Sequence, residues 1–111
     1  MRVVGYDPFV QHNAQVELLE LDAVLSGADL LSLHAPLTPE TRGLLNGERL
    51  GRTKRGVVIV NTGRGGCVDE PALASALQSG PVRCYATDVW SSDPPPTRCP
   101  LVTLPGVLMR P

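Results

Sequence analysis

A chain of 111 residues with a 42 % hydrophobic fraction suffices for one domain and one core, and with only 4 % aromatics that core must be built from Val, Leu and Ala. A formal net charge of −1 gives no electrostatic drive toward nucleic acid or an anionic membrane surface. The three cysteines (Cys67, Cys84 and Cys99) make no Cys-x-x-Cys or Cys/His metal spacing, and no apolar run reaches about 18 residues, so the expectation is a reduced, cytoplasmic protein without a metal site or a membrane span.

In chain order, RVVGYD (residues 2–7) reads as a short buried strand ending on an acid. QVELLEL (residues 15–21) suits helix or strand equally. Residues 21–28 predict a short helix with one apolar side, and Leu30–Leu33 a strand that Pro36 stops. Asn46 is a good cap for a helix over residues 46–56, with basic residues crowding its end and Gly56 closing it. Residues 57–60 form an unbroken β-branched run, as expected of a parallel strand covered on both faces. Asp69 caps a helix that carries Pro71 in its first turn, continues through residues 72–77 and stops at Gly80. RCYATDVW (residues 83–90) is a strand ending near an acid, SSDPPPTRCP (residues 91–100) is neither helix nor central strand, and GVLM (residues 106–109) is a last short strand.

Apolar strands alternating with short helices predict an α/β architecture of βαβ units around a parallel sheet. Ligands of such sheets bind beyond the strand carboxyl ends. The candidate positions are therefore Asp7, residues 34–36, residues 61–66 and residues 88–93. Asp7 fits two roles: an acceptor for ribose hydroxyls, whose charge repels a 2′-phosphate, or a turn aspartate before Pro8. In NTGRGG, the glycines permit close backbone approach or positive φ, and Arg64 offers a planar fork for a carboxylate; the plainer reading is a tight turn with a solvated arginine. No Lys-Ser/Thr follows, so this is not a Walker loop. A single GRGG without an aromatic platform does not make an RNA-contacting element either. Asp88 and Asp93 flank VWSS as either an acid–base pair or loop solubilisers, and His34 is either a proton donor–acceptor or a structural histidine.

Taken together, VVGYDP, LLSLHAPLTPETRGLLN, GVVIVNTGRGGCVDEPALASALQSG and ATDVW, in this order and spacing, resemble the D-isomer-specific 2-hydroxyacid dehydrogenases over nearly the whole chain. The resemblance implies a partial doubly wound, Rossmann-like parallel sheet with flanking helices, residues 1–111 being part of an NAD-binding domain with no substrate domain. It implies NAD as cofactor, a small 2-hydroxy or 2-oxo acid as substrate, and a homodimer. By the same resemblance Asp7 is the ribose-binding acid, and Ala35 lies where backbone passes the cofactor. Thr62, Gly63 and Arg64 line the nicotinamide end, Arg64 also being the catalytic arginine on the substrate carboxylate. Asp88 contacts the carboxamide, and Asp93 stands in for a glutamate that orients the catalytic histidine.

Two family features fall outside the sequence. The Gly-x-Gly-x-x-Gly fingerprint would precede Asp7 by about 20 residues, so the first βα unit is expected to be missing, leaving two inner strand edges unpaired or forced together. The acid–base histidine would follow Pro111. The expectation is an oxidoreductase-family domain that is incomplete and inactive alone; the alternative is a degenerate, non-enzymatic relative serving as a protein-interaction or corepressor-like module.

Overall fold

Two parallel sheets organise the chain, and the gap between them falls where the sequence predicts missing strand pairing. The computed structural model describes residues 1–91 and 99–109. Strand β1 (Val4–Gly5) pairs in parallel with β2 (Glu17–Leu18) as a separate two-stranded sheet. Helix α1 (Leu21–Gly27) leads into β3 (Leu30–Leu33), followed by α2 (Gly47–Gly51), β4 (Val57–Asn61), a 3₁₀ turn (Gly65–Cys67), α3 (Glu70–Gln78), β5 (Val82–Thr87), a second 3₁₀ turn (Pro100–Thr103) and β6 (Val107–Met109). The second sheet has the order β3-β4-β5-β6, parallel throughout. Of the two outcomes expected for the inner edges, the unpaired one is observed: among the described residues β1 and β3 share no ladder.

Local chemistry explains most element ends. The Asn46 side chain accepts from the Arg49 amide at 2.9 Å and starts α2, and Asp69 accepts from the Ala72 amide at 3.1 Å and starts α3. Helix α2 is shorter than expected. Thr53 Oγ1 donates to the Leu50 carbonyl at 2.7 Å, and Gly56, at φ +89°, turns the chain into β4. Strand β5 likewise stops at Thr87, before the acid, because the Thr87 hydroxyl accepts from the Val89 amide and bends the chain out of the sheet. At the N-terminus only Val4 and Gly5 form strand, half-buried, while Val3 is 56 % exposed; the strand expected to be buried has a neighbour on one side only.

The core sits on one face of the larger sheet. Leu31, Ile59 and Tyr85 lie side by side across β3, β4 and β5, buried together with Leu25 of α1, Leu50 of α2, Leu73 of α3 and Leu101. The opposite row runs Ser32, Val60, Ala86, Leu108, next to Leu30, Val58 and Cys84. There Leu30 is 58 % and Leu108 63 % exposed, and Val58, Val60, Cys84 and Ala86 are half-buried. The reading of residues 57–60 as covered on both faces is thus corrected. The run is β-branched throughout, yet its burial alternates, because the described helices pack against one side. Among the described residues no helix is long and apolar enough to cross a membrane.

Candidate functional site

Because β3, β4 and β5 are parallel, their carboxyl ends lie at one edge, and the loops leaving them form one cluster around Arg64. The cluster is built on a buried polar group. Asn61 ends β4 in phase with Val57 and Ile59, so its side chain points into the core, where it is 0 % exposed. Its carboxamide is used on both sides: Oδ1 accepts from the Gly63 amide at 3.0 Å, and Nδ2 donates to the Arg64 carbonyl at 3.1 Å and to Tyr85 Oη at 3.3 Å. A buried amide with these partners holds the turn in one shape. Burial pushes the Tyr85 phenol above its ordinary range, which the bond from Asn61 partly offsets. Thr87 joins the next loop to this one, its Oγ1 lying 2.9 Å from the Asn61 carbonyl and 2.7 Å from that of Val89.

The glycines act by close approach rather than by special backbone angles, since the positive-φ glycines are Gly43, Gly56 and Gly106. A Cβ on Gly63 would lie 3.2 Å from the Leu33 carbonyl and 3.3 Å from that of Ala35, so the β4 loop is seated on the β3 loop. Cys67 lies beneath the same segment, its Sγ 3.9 Å from the Ala35 carbonyl. On the other side the Trp90–Ser91 backbone lies directly over Gly65, leaving no room for a Cβ. Arg64 is held between these two loops by its backbone alone. Its side chain is exposed, and among the described residues the guanidinium reaches only its own Gly63 carbonyl, at 3.4 Å. A cation so placed is not used up in holding the fold.

Of the residues singled out in the sequence, Ala35, Thr62, Gly63, Arg64 and Asp88 come together at this edge, with Thr62 and Asp88 exposed. Asp7 belongs to the smaller sheet. Its Oδ1 accepts from the Phe9 amide at 2.9 Å, and it lines an open cleft of about 580 Å³ with Tyr6, Gln11, Leu18 and Glu20. Another cleft, of about 450 Å³, is lined by residues 11–18; neither contains Arg64. Asp93 lies outside the described residues. His34 is exposed, with Nε2 2.8 Å from Ser32 Oγ. Among the described residues no group of three or more His, Cys, Asp or Glu is placed to hold a metal. The supporting roles of Asn61, Tyr85 and Thr87 are not evident from motif reading. For Asn61 the signal was present, as a polar residue on the inward phase of a β-branched strand.

Residues 1–111 match the D-isomer-specific 2-hydroxyacid dehydrogenase, NAD-binding domain family. The chain belongs to that family. Its parallel sheet with flanking helices is the dehydrogenase domain's Rossmann-like arrangement. The chain is 50 % identical to the D-3-phosphoglycerate dehydrogenase of Mycobacterium tuberculosis over 113 residues, which is 98 % of this chain and 21 % of that protein. In structure it is similar to the TT0316 protein of Thermus thermophilus (TM-score 0.91, 42 % identity, 100 % of this chain and 35 % of that one). It is also similar to a formate dehydrogenase of Staphylococcus aureus in complex with NAD (TM-score 0.89, 39 % identity, 95 % of this chain and 32 % of that one). The domain thus spans about a fifth of the length of the mycobacterial relative.

Proposed function

We propose that the chain supplies the NAD side of an oxidoreductase site acting on the CH–OH group of D-2-hydroxy acids. The observation that carries this reading is Arg64: an exposed guanidinium without an ion-pair partner among the described residues, on a turn pinned by Asn61 at the strand carboxyl ends. Its planar fork matches a carboxylate bidentately, and from that position it orients a 2-hydroxy or 2-oxo acid and, in the oxo acid, draws electron density from the reacting carbonyl oxygen.

The residues present suit a dinucleotide. Gly63 lets the β4 loop seat closely on the β3 loop, where a Cβ would crowd the Leu33 and Ala35 carbonyls, and so holds Thr62 and Arg64 at the site edge. Thr62 and Asp88 present exposed polar groups beside it, Asp88 for the carboxamide, and the exposed carboxylate of Asp7 accepts hydrogen bonds from ribose hydroxyls. The charge of Asp7 disfavours a 2′-phosphate, which selects NAD over NADP. When bound, NAD supplies the two-electron hydride acceptor. Asp93 keeps the histidine-orienting role implied by its place in the motif.

The 111 residues alone bind NAD weakly and do not turn over. Of their two histidines, neither His34, exposed beside Ser32, nor His12, in a polar loop of the smaller sheet, occupies the family's acid–base position, and the reaction requires a proton acceptor there. The intact enzyme is read as a cytoplasmic homodimer, in keeping with three free cysteines. Isothermal titration with NAD and NADP, with an NADH-consumption assay on 2-oxo acids, tests the reading. Weak binding that favours NAD, without turnover, is expected. No binding of either dinucleotide overturns the cofactor assignment, and clear turnover overturns the inactivity.

A further inference from the structure

Glu70 is the first residue of α3 and is buried, at 8 % exposure. It is not the helix cap; Asp69 fills that role. Instead it reaches away from the helix and joins two distant parts of the chain. Oε1 accepts from the Ser91 amide at 2.8 Å, and Oε2 accepts from Cys99 Sγ at 2.9 Å. Burial, then the bond to Glu70, raises the Cys99 thiol above its ordinary range, which keeps the proton on sulfur for that bond.

Ser91 adjoins the carbonyl group of Trp90, and that Trp90–Ser91 peptide is what lies on Gly65. The order of contact is therefore continuous: Glu70 holds Ser91, Ser91 holds the peptide against Gly65, and Gly65 follows Arg64. On the opposite side of the turn, Asn61 grips Gly63 and the Arg64 carbonyl. The backbone carrying the guanidinium is thus clamped from both sides, by an amide within the sheet and by a carboxyl at the start of the next helix. A carboxyl in the first turn of a helix also interacts favourably with the helix dipole, which makes this a firm anchor.

We propose that Glu70 is a positioning residue for Arg64, acting through Ser91 and the Gly65 contact, with the Cys99 thiol steadying its second oxygen. The proposal rests on the reading of Arg64 as the substrate-carboxylate ligand, and its test separates the two. Glu70→Ala, Glu70→Gln, Cys99→Ala and Cys99→Ser are made in the full chain. Amide exchange at Ser91 and the Arg64 Nε–Hε resonance are followed by NMR, then titrated with pyruvate as the carboxylate probe.

Glu70→Ala is expected to speed Ser91 exchange about tenfold and to move the Arg64 signal. Glu70→Gln retains an acceptor for the Ser91 amide and restores its protection. Cys99→Ser retains a donor and behaves as the wild type, while Cys99→Ala gives a smaller change in the same direction. A purely structural role would lower the melting temperature and leave the Arg64 signal in place, which overturns the proposal. So does Glu70→Gln behaving like Glu70→Ala. If Glu70→Ala does not fold, Cys99→Ala decides, and wild-type values for both signals in that variant overturn it. A wild-type chain that ignores NAD and pyruvate, while Glu70→Ala still moves Arg64, sinks the dehydrogenase reading and leaves the coupling standing.

Discussion

Replacing Gly65 by alanine is the sharpest perturbation of this site, because it adds one methyl group at the closest approach of two loops. The added Cβ would lie 1.9 Å from the Trp90 carbonyl carbon, about 1.5 Å short of the 3.4 Å at which ordinary contact begins, with the Trp90 oxygen at 2.1 Å and the Ser91 nitrogen at 2.5 Å. All three neighbours are backbone atoms, so no rotamer change relieves the clash. The loop must lift, and the Ser91–Glu70 bond at 2.8 Å has to break with it. Gly65 is not among the positive-φ glycines, so the cost is steric and not conformational. Overpacking of this kind costs about 3 kcal/mol, of which the lost buried hydrogen bond is about 1 kcal/mol.

Two other glycines calibrate that figure. A Cβ on Gly66 would meet only the Leu37 side chain, at 3.0 Å, which can move, and one on Gly51 would meet nothing within 4 Å. Gly66→Ala should cost under about 1 kcal/mol, and Gly51→Ala should be neutral or stabilising by about 0.5 kcal/mol. Urea unfolding followed by circular dichroism measures all three. With m of about 1.5 kcal/mol/M, the Gly65→Ala midpoint should fall by roughly 2 M. A Gly65→Ala midpoint within about 0.3 M of the wild type would refute the seating of the Trp90–Ser91 backbone on this glycine.

Arg64→Ala should leave the melting temperature unchanged, since among the described residues the guanidinium contacts only Gly63, and should abolish the pyruvate binding that the wild-type chain shows by NMR; a large loss of stability would place Arg64 in the fold instead. Asn61→Ala strips the Gly63 amide and Arg64 carbonyl of their partner and should cost about 2–3 kcal/mol in urea, against about 1 kcal/mol for Tyr85→Phe, which removes a single acceptor. Cys99 and Tyr85 both hold their protons more tightly folded than unfolded. Their stabilisation is therefore complete at neutral pH and declines as pH rises above about 8.5 for the thiol and about 10 for the phenol. Urea midpoints measured from pH 7 to 10.5 should fall on the alkaline side, and Cys99→Ser should remove the lower-pH part of that decline.

Much of this molecule is legible locally. Asn46 and Asp69 announce their helices because capping is a contact over three residues, and both caps form. The succession of strands and helices follows from hydrophobic period, and the motif from Asn61 to Gly66 marks the strand end on which the site is built. Even the β-branched run at residues 57–60 identifies its strand, though not how many of its faces are covered.

What the tertiary structure alone decided concerns pairs far apart in the chain. Asn61 meets Tyr85 across 24 residues and Glu70 meets Cys99 across 29, and neither pairing follows from composition or spacing. The exposure of Leu30 and Leu108 likewise depends on which side of the sheet the helices take. Asp7, grouped with Arg64 by motif, sits on a separate two-stranded sheet, because β1 and β3 share no ladder among the described residues. The physical reason is common to these cases. Local propensity and period report the energy of a residue with its near neighbours, whereas a parallel sheet is assembled from strands that meet only after long crossovers. The partners of a buried amide or carboxyl are therefore set by register, which no single segment contains.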